Sequence, residues 1–117
     1  MWPPPHGAGN YAGSEAKDRN WPRNWTTIKG YSDNYARTAP VGSFAASRSG
    51  LYDLGGNVWE WCGDWYDSNQ KTRVCRGASW VSHDPDYLLS SNRLDDAPDL
   101  RHDHIGFRCV LVVGSSP

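Results

Sequence analysis

The chain has 117 residues, with 12 Lys and Arg against 13 Asp and Glu and a formal net charge of -1. That length allows one core in one domain, and its scattered cations form no basic stripe to track a phosphate backbone, so nucleic acid is not an expected partner. No apolar run reaches membrane-span length, and residues 1–6 are proline-rich where a signal peptide needs an apolar stretch, so the chain reads as soluble and unexported with no membrane partner.

Cys62, Cys75 and Cys109 are odd in number and at no zinc-like spacing. Reduced, buried thiols are expected, which favours a cytoplasmic setting; one bridge is the alternative. Seven Trp, six Tyr, twelve Gly and eight Pro predict a loop-rich fold held by large aromatic anchors.

In chain order, residues 2–35 carry Pro3, Pro4, Pro5, Gly7, Gly9, Gly13, Pro22 and Asn24 too often for a long periodic element, and residues 36–50 continue in that style. Residues 51–66 bring the first dense apolar segment, around a Gly55-Gly56-Asn57 turn; Trp59 and Trp61 are expected to face opposite ways there. Residues 74–80 alternate enough for a short strand and residues 105–113 are the best strand candidate, so these two are expected to pair. Between them, residues 81–104 carry many Asp, Ser and His with little periodicity, apart from a helical turn or two over residues 87–92 after Pro85. No repeat or second domain is visible, so residues 1–117 read as a single domain.

Four blocks, in order and spacing, carry a resemblance: Gly50-Leu51-Tyr52-Asp53-Leu54-Gly55-Gly56-Asn57-Val58-Trp59-Glu60-Trp61; Arg76-Gly77-Ala78-Ser79-Trp80; Asn92-Arg93 with Pro98-Asp99; and Ile105-Gly106-Phe107-Arg108. With Trp2-Pro3-Pro4-Pro5, Gly9-Asn10-Tyr11 and Thr38-Ala39-Pro40-Val41-Gly42, the chain resembles the formylglycine-generating (sulfatase-modifying factor) family over nearly its whole length. The resemblance implies an α+β, C-type-lectin-like fold, loop-rich with a small antiparallel sheet. It also implies that the family's amino-terminal half is missing or that this is a minimal version.

The resemblance further implies two calcium sites. One matches Asp53, Gly56, Val58 and Glu60; the other matches Asn10, Tyr11, Asp33 and Tyr35, with the glycine, valine and tyrosines contributing backbone carbonyls. The oxygen donors suit a hard cation. The alternative is that Asp53 and Glu60 cap backbone amides of a tight loop. The His102-Asp103-His104 run lacks a further ligand at recognised spacing and reads as loop.

The family's oxidases bind copper through two cysteines, and the matching positions here are Asp86 and Ser91. Neither side chain replaces a thiolate for Cu(I), so no copper and no catalytic residue are expected. A sulfoxide-forming branch uses histidines from a helical domain this chain lacks, and no nucleophile elbow is visible for hydrolysis. A third branch comprises the variable proteins of diversity-generating retroelements, in which adenine mutation of AAC-type codons yields codons ending in C. Such codons never encode Lys, Glu, Gln, Met or Trp, and residues 81–104 contain none of these.

On that reading residues 81–104 are a display region framed by Ser79, Trp80, Pro85, Arg93, Pro98, Gly106, Phe107 and Arg108. Its ligand-contacting positions are Val81, Ser82, His83, Asp84, Asp86 and Tyr87, then Leu94, Asp95 and Asp96, then Leu100, Arg101, His102, Asp103 and His104. Tyr87 is the anchor candidate, and the carboxylates favour a protein or other macromolecule with a basic or polar patch. The alternatives are a plain Asp-rich loop, an oxidase relative, and a fragment that works only with its missing half; the ligand and the oligomeric state are not readable.

Overall fold

A computed structural model describes residues 1–114. The regular elements are a short 3-10 turn, Ser14–Ala16, and four strands: β1 Trp59–Trp65, β2 Arg73–Arg76, β3 Leu94–Asp96 and β4 Ile105–Gly106. They form one sheet in the order β3-β2-β1-β4.

The segment Trp-Glu-Trp-Cys-Gly-Asp-Trp makes β1 because large aromatics alternate with smaller or polar residues, the pattern a half-buried pleated strand needs. Trp59 and Trp61 do not face opposite ways. A period of two returns them to one side, where Trp59 joins the core and Trp61 packs against it. A turn closed by Tyr66 N–H to Thr72 O, 2.9 Å, leads into antiparallel β2, with Trp61 opposite Cys75.

The expected pairing of residues 74–80 with residues 105–113 is not formed, because β1 lies between them. Antiparallel β2 occupies one edge of β1 and parallel β4 the other, pairing Trp59 with Ile105, so the sheet is mixed rather than wholly antiparallel. Both candidate strands are also shorter than expected. β2 stops at Arg76 because Gly77 and Ala78 follow at φ +100° and +63°, outside extended backbone. β4 stops at Gly106, and residues 107–114 are exposed. Residues 87–92 form turns rather than helix, with Leu88 N–H on Pro85 O and Asn92 N–H on Leu89 O.

The loops carry most of the core. Tyr11, Ile28 and Tyr31 pack with Trp59, Cys75 and Ala78; Ala12, Ala16, Trp21 and Trp80 make a second cluster. The loops are joined at Asn57, whose Oδ1 accepts from Ala39 N–H (2.8 Å) and from the Asn10 side chain (3.1 Å). Its Nδ2 donates to Ala39 O, its N–H to Asn10 O, and its carbonyl accepts from Trp80 N–H. The adjoining Gly56 is required here: at φ +81°, a Cβ would lie 2.5 Å from Asn10 O.

The thiols are free. Cys75 is buried and Cys62 half-buried, whereas Cys109, expected inside, is exposed because the tail that bears it leaves the sheet.

Candidate functional site

Trp80 supports the display region. Its ring is buried against Trp21, with centroids 6.2 Å apart, and its indole N–H donates to Asp103 O at 3.2 Å. Trp59 N–H donates to His104 O at 2.8 Å, so the loop before β4 is held at both its carbonyls. On this support, Val81, Ser82, His83, Tyr87, Leu94 and His104 line one cavity of about 290 Å³. Six of the fourteen display positions therefore meet in one place, although they come from three stretches of chain.

The opposite wall is Asn24, Trp25 and Thr26, with the buried Trp59 between. Sequence reasoning missed these four. Trp25 is 43% exposed, and its carbonyl accepts from the Trp21 indole.

The remaining display positions surround the cavity. Asp84 and Asp86 are exposed, the first capping the second's N–H at 2.9 Å. Asp95 and the half-buried Asp96 lie on β3 opposite Val74 and Arg73. Leu100 is half-buried and Arg101 exposed. His102 stacks on His104 at 4.8 Å, and His104 Nδ1 meets Asp103 Oδ1 at 3.0 Å.

Two assignments change. Ser82 is only 4% exposed, accepts Ser79 N–H through Oγ and Ala12 N–H through its carbonyl, and so belongs to the frame although it touches the cavity. Phe107, expected in the frame, is 75% exposed because no strand lies over it.

Among the presumed metal donors, Asp53, Val58 and Glu60 line a second cavity, of about 480 Å³. A cation of the chain already stands there: Arg108 engages both Glu60 oxygens (2.7 and 2.5 Å) and donates to the carbonyls of Tyr52 and Asp53. Asp53 itself accepts Gly42 N–H at 2.7 Å, the capping alternative. In this arrangement the Glu60 carboxylate and the neighbouring carbonyls are engaged by a guanidinium.

The other set differs. Asn10 Oδ1 is buried without a hydrogen-bond partner. Asp33 is 3% exposed, and its two oxygens accept Tyr11 N–H (2.8 Å) and Tyr35 N–H (3.0 Å). Glu15 lies against it, accepting the N–H groups of Asp33 and Asn34. Burial, and then Glu15 beside it, push the Asp33 carboxyl up to about 7. Burial works against Glu15 too, but the bonds it accepts from Asp33 hold it down at about 2. An unpartnered amide oxygen next in sequence to Tyr11, whose N–H is held by the crowded Asp33 carboxyl, is a donor set that fits a hard cation. No group of three or more His, Cys, Asp or Glu side chains gathers among the described residues, so such an ion would depend on carbonyl oxygens as well.

The model of the Sulfatase-modifying factor enzyme 1-like domain matches residues 6–113. The formylglycine-generating enzyme of Thermomonospora curvata is 35% identical over 99 residues, covering 67% of this chain and 32% of that protein. The inactive C-alpha-formylglycine-generating enzyme 2 of Bos taurus is 38% identical over 91 residues, 73% of this chain and 30% of that protein. Among solved structures, Treponema denticola variable protein 1 superposes with a TM-score of 0.63 at 25% identity, over 86% of this chain and 34% of that one. The chain thus spans about a third of the length of these relatives. No helix among the described residues is long and apolar enough to cross a membrane. By the extent of the match, from His6 to Val113, this chain belongs to the sulfatase-modifying factor (formylglycine-generating enzyme) family.

Proposed function

We propose that this chain is a ligand-binding module and not a working oxidase, its residues 81–104 being a diversified surface of the retroelement variable-protein kind. The observation that carries this reading is the convergence of Val81, His83, Tyr87, Leu94 and His104 on one cavity, over a frame built from Trp80 and Asn57. The likeness to a variable protein of Treponema denticola supports it. So does the chemistry at the positions matching the oxidase cysteines, where Asp86 and Ser91 are exposed and offer no thiolate to copper. Burial pushes the Cys75 thiol up to about 12, and burial also raises Cys62, so both are neutral packing groups. The ligand is a protein or another macromolecule, with Tyr87, 41% exposed, as the anchor.

The test has a genetic and a chemical arm. The DNA beside the gene is expected to hold a reverse transcriptase and a near-copy of the codons for residues 76–108, with adenines at the differing sites. Copper-dependent conversion of a cysteine peptide to formylglycine would overturn the reading.

The scaffold also takes calcium in this proposal, at Asn10, Tyr11, Asp33 and Tyr35. A bound divalent ion would balance the Asp33 and Glu15 charges and tie two loops together. Binding only to the folded state raises stability by mass action, so thermal midpoints in calcium should exceed those in chelator, and Asp33→Ala should erase the difference. Coincident melts for the parent would remove calcium from the proposal. At Asp53 and Glu60, calcium would have to displace Arg108, and Glu60→Gln is expected to leave the calcium effect intact.

A further inference from the structure

We infer that the cavity between Trp25 and Tyr87 receives an arginine side chain from a protein partner, a conclusion that rests on the binding-module reading and specifies its ligand.

Three rings line the cavity, Trp25, Trp59 and Tyr87, the last two in an edge contact with centroids 6.1 Å apart. At about 290 Å³ the space is at the lower edge of ligand pockets, roughly 300–1,000 Å³, and suits one side chain better than a whole small molecule. No carboxylate is part of the lining itself, but on the display side several lining residues have an Asp as their neighbour in sequence. His83 is followed by Asp84, Tyr87 is preceded by Asp86, His104 is preceded by Asp103, and Asp96 shares the face of β3 that bears Leu94, whereas Asp95 alternates to the other face. Of these only Asp103 has an ion-pair partner among the described residues, the neighbouring His104.

Of the chain's own cations that neighbour these segments in sequence, Arg93 is engaged elsewhere. Arg93 donates to Tyr66 O, 2.8 Å, and stacks on that ring; Arg101 is exposed next to His102, and Arg23 precedes Asn24 on the opposite wall. An aromatic cleft whose lining residues are neighboured in sequence by exposed carboxylates attracts a cation whose alkyl stem can lie on the rings.

Arginine fits better than lysine. A planar guanidinium is weakly hydrated, stacks on aromatic faces and bonds carboxylates in pairs, whereas an ammonium is a strongly hydrated point charge. The chain uses guanidinium stacking in its own structure: Arg37 over Trp21 and Trp80, Arg73 over Trp65 and Arg93 over Tyr66. Among the described residues, the rings of Trp25, Trp59 and Tyr87 have no such cation.

The probes are two blocked peptides, Gly-Arg-Gly and its citrulline counterpart, which keeps the shape and removes the charge. Titrations of the full chain are followed by the indole and phenol resonances of Trp25, Trp59 and Tyr87. The arginine peptide is expected to shift these signals and bind about tenfold tighter than the citrulline peptide. Asp84→Asn with Asp86→Asn, both exposed positions next to His83 and Tyr87, should remove most of that preference and its salt dependence while leaving the melting temperature unchanged. Tyr87→Ala should weaken the arginine peptide as well. Equal binding of the two peptides, or no shift at the three rings, overturns the arginine inference. The binding-module reading would then still stand or fall by its own genetic and oxidase tests.

Discussion

Asn57 is a single side chain on which the architecture turns. At φ +67° it occupies backbone space that asparagine tolerates better than most residues, and its amide satisfies Ala39 N–H, Ala39 O and the Asn10 side chain in a place closed to water. Truncation leaves these groups buried and unpaired at about 1–3 kcal/mol each. Asn57→Ala is therefore expected to cost about 3 kcal/mol or more by chemical denaturation, a large share of a small domain's stability. A loss below about 1 kcal/mol would mean that the three loops are held by other contacts.

Asp33 gives the molecule a pH signature of its own. With its carboxyl at about 7, the folded chain keeps a proton that the unfolded chain sheds near pH 4. The folded state thus binds more protons between these values, and stability falls as pH rises from about 4 to about 7. Glu15, held at about 2, acts in the opposite sense at lower pH, its contribution being lost as pH falls from about 4.5 to about 2. Denaturation midpoints measured in chelator should fall across the upper interval for the parent, with a flatter profile for Asp33→Asn. A parent profile that rises there would show that Asp33 is ionised in the fold.

Among the elements, the support and the display loops are distinguishable by burial. Trp80→Ala removes a ring that is 5% exposed and should cost about 3–5 kcal/mol. Phe107→Ala, at 75% exposure, and Asp95→Ser, on the exposed side of β3, should each stay within about 0.5 kcal/mol. If Asp95→Ser proves as costly as Trp80→Ala, residues 81–104 are core and do not display anything.

The Gly55-Gly56-Asn57 turn and the importance of Trp80 were legible in the sequence, because each rests on local chemistry: a special backbone angle and a large apolar ring. The strand order was not, since nothing local in residues 105–113 says that β1 will lie between them and β2. Trp25 and Asn24 were missed for the same reason: their place opposite Tyr87 is fixed by the fold of residues 10–35 and leaves no periodic trace. Ser82 was misjudged because a serine inside a polar run looks exposed until Ser79 and Ala12 are found bonding to it.

For the whole molecule, the accessible surface is 8251 Å², whereas a folded chain of this mass exposes about 6,400 Å². The radius of gyration, 15.5 Å, likewise exceeds the roughly 13 Å typical of this length. The carboxyl-terminal run is one source of the excess: Val110, Leu111, Val112 and Val113 are each more than 80% exposed, and among the described residues no backbone hydrogen bond joins them to the sheet. Their amides should exchange with deuterium close to the rate of an unstructured peptide, while those of β1 are protected. Protection of residues 110–113 in dilute solution would show instead that this strand has found a partner.

The same Asn57 junction has a kinetic side. Its bond to Asn10 joins residues 47 apart, and the Arg108 bond to Glu60 joins residues 48 apart. Neither contact returns any stabilisation until a long loop has closed, and the single short 3-10 turn provides little local structure to shorten the search. The chain therefore has to reach its native topology nearly all at once, through distant ends meeting, and folds slowly for its size.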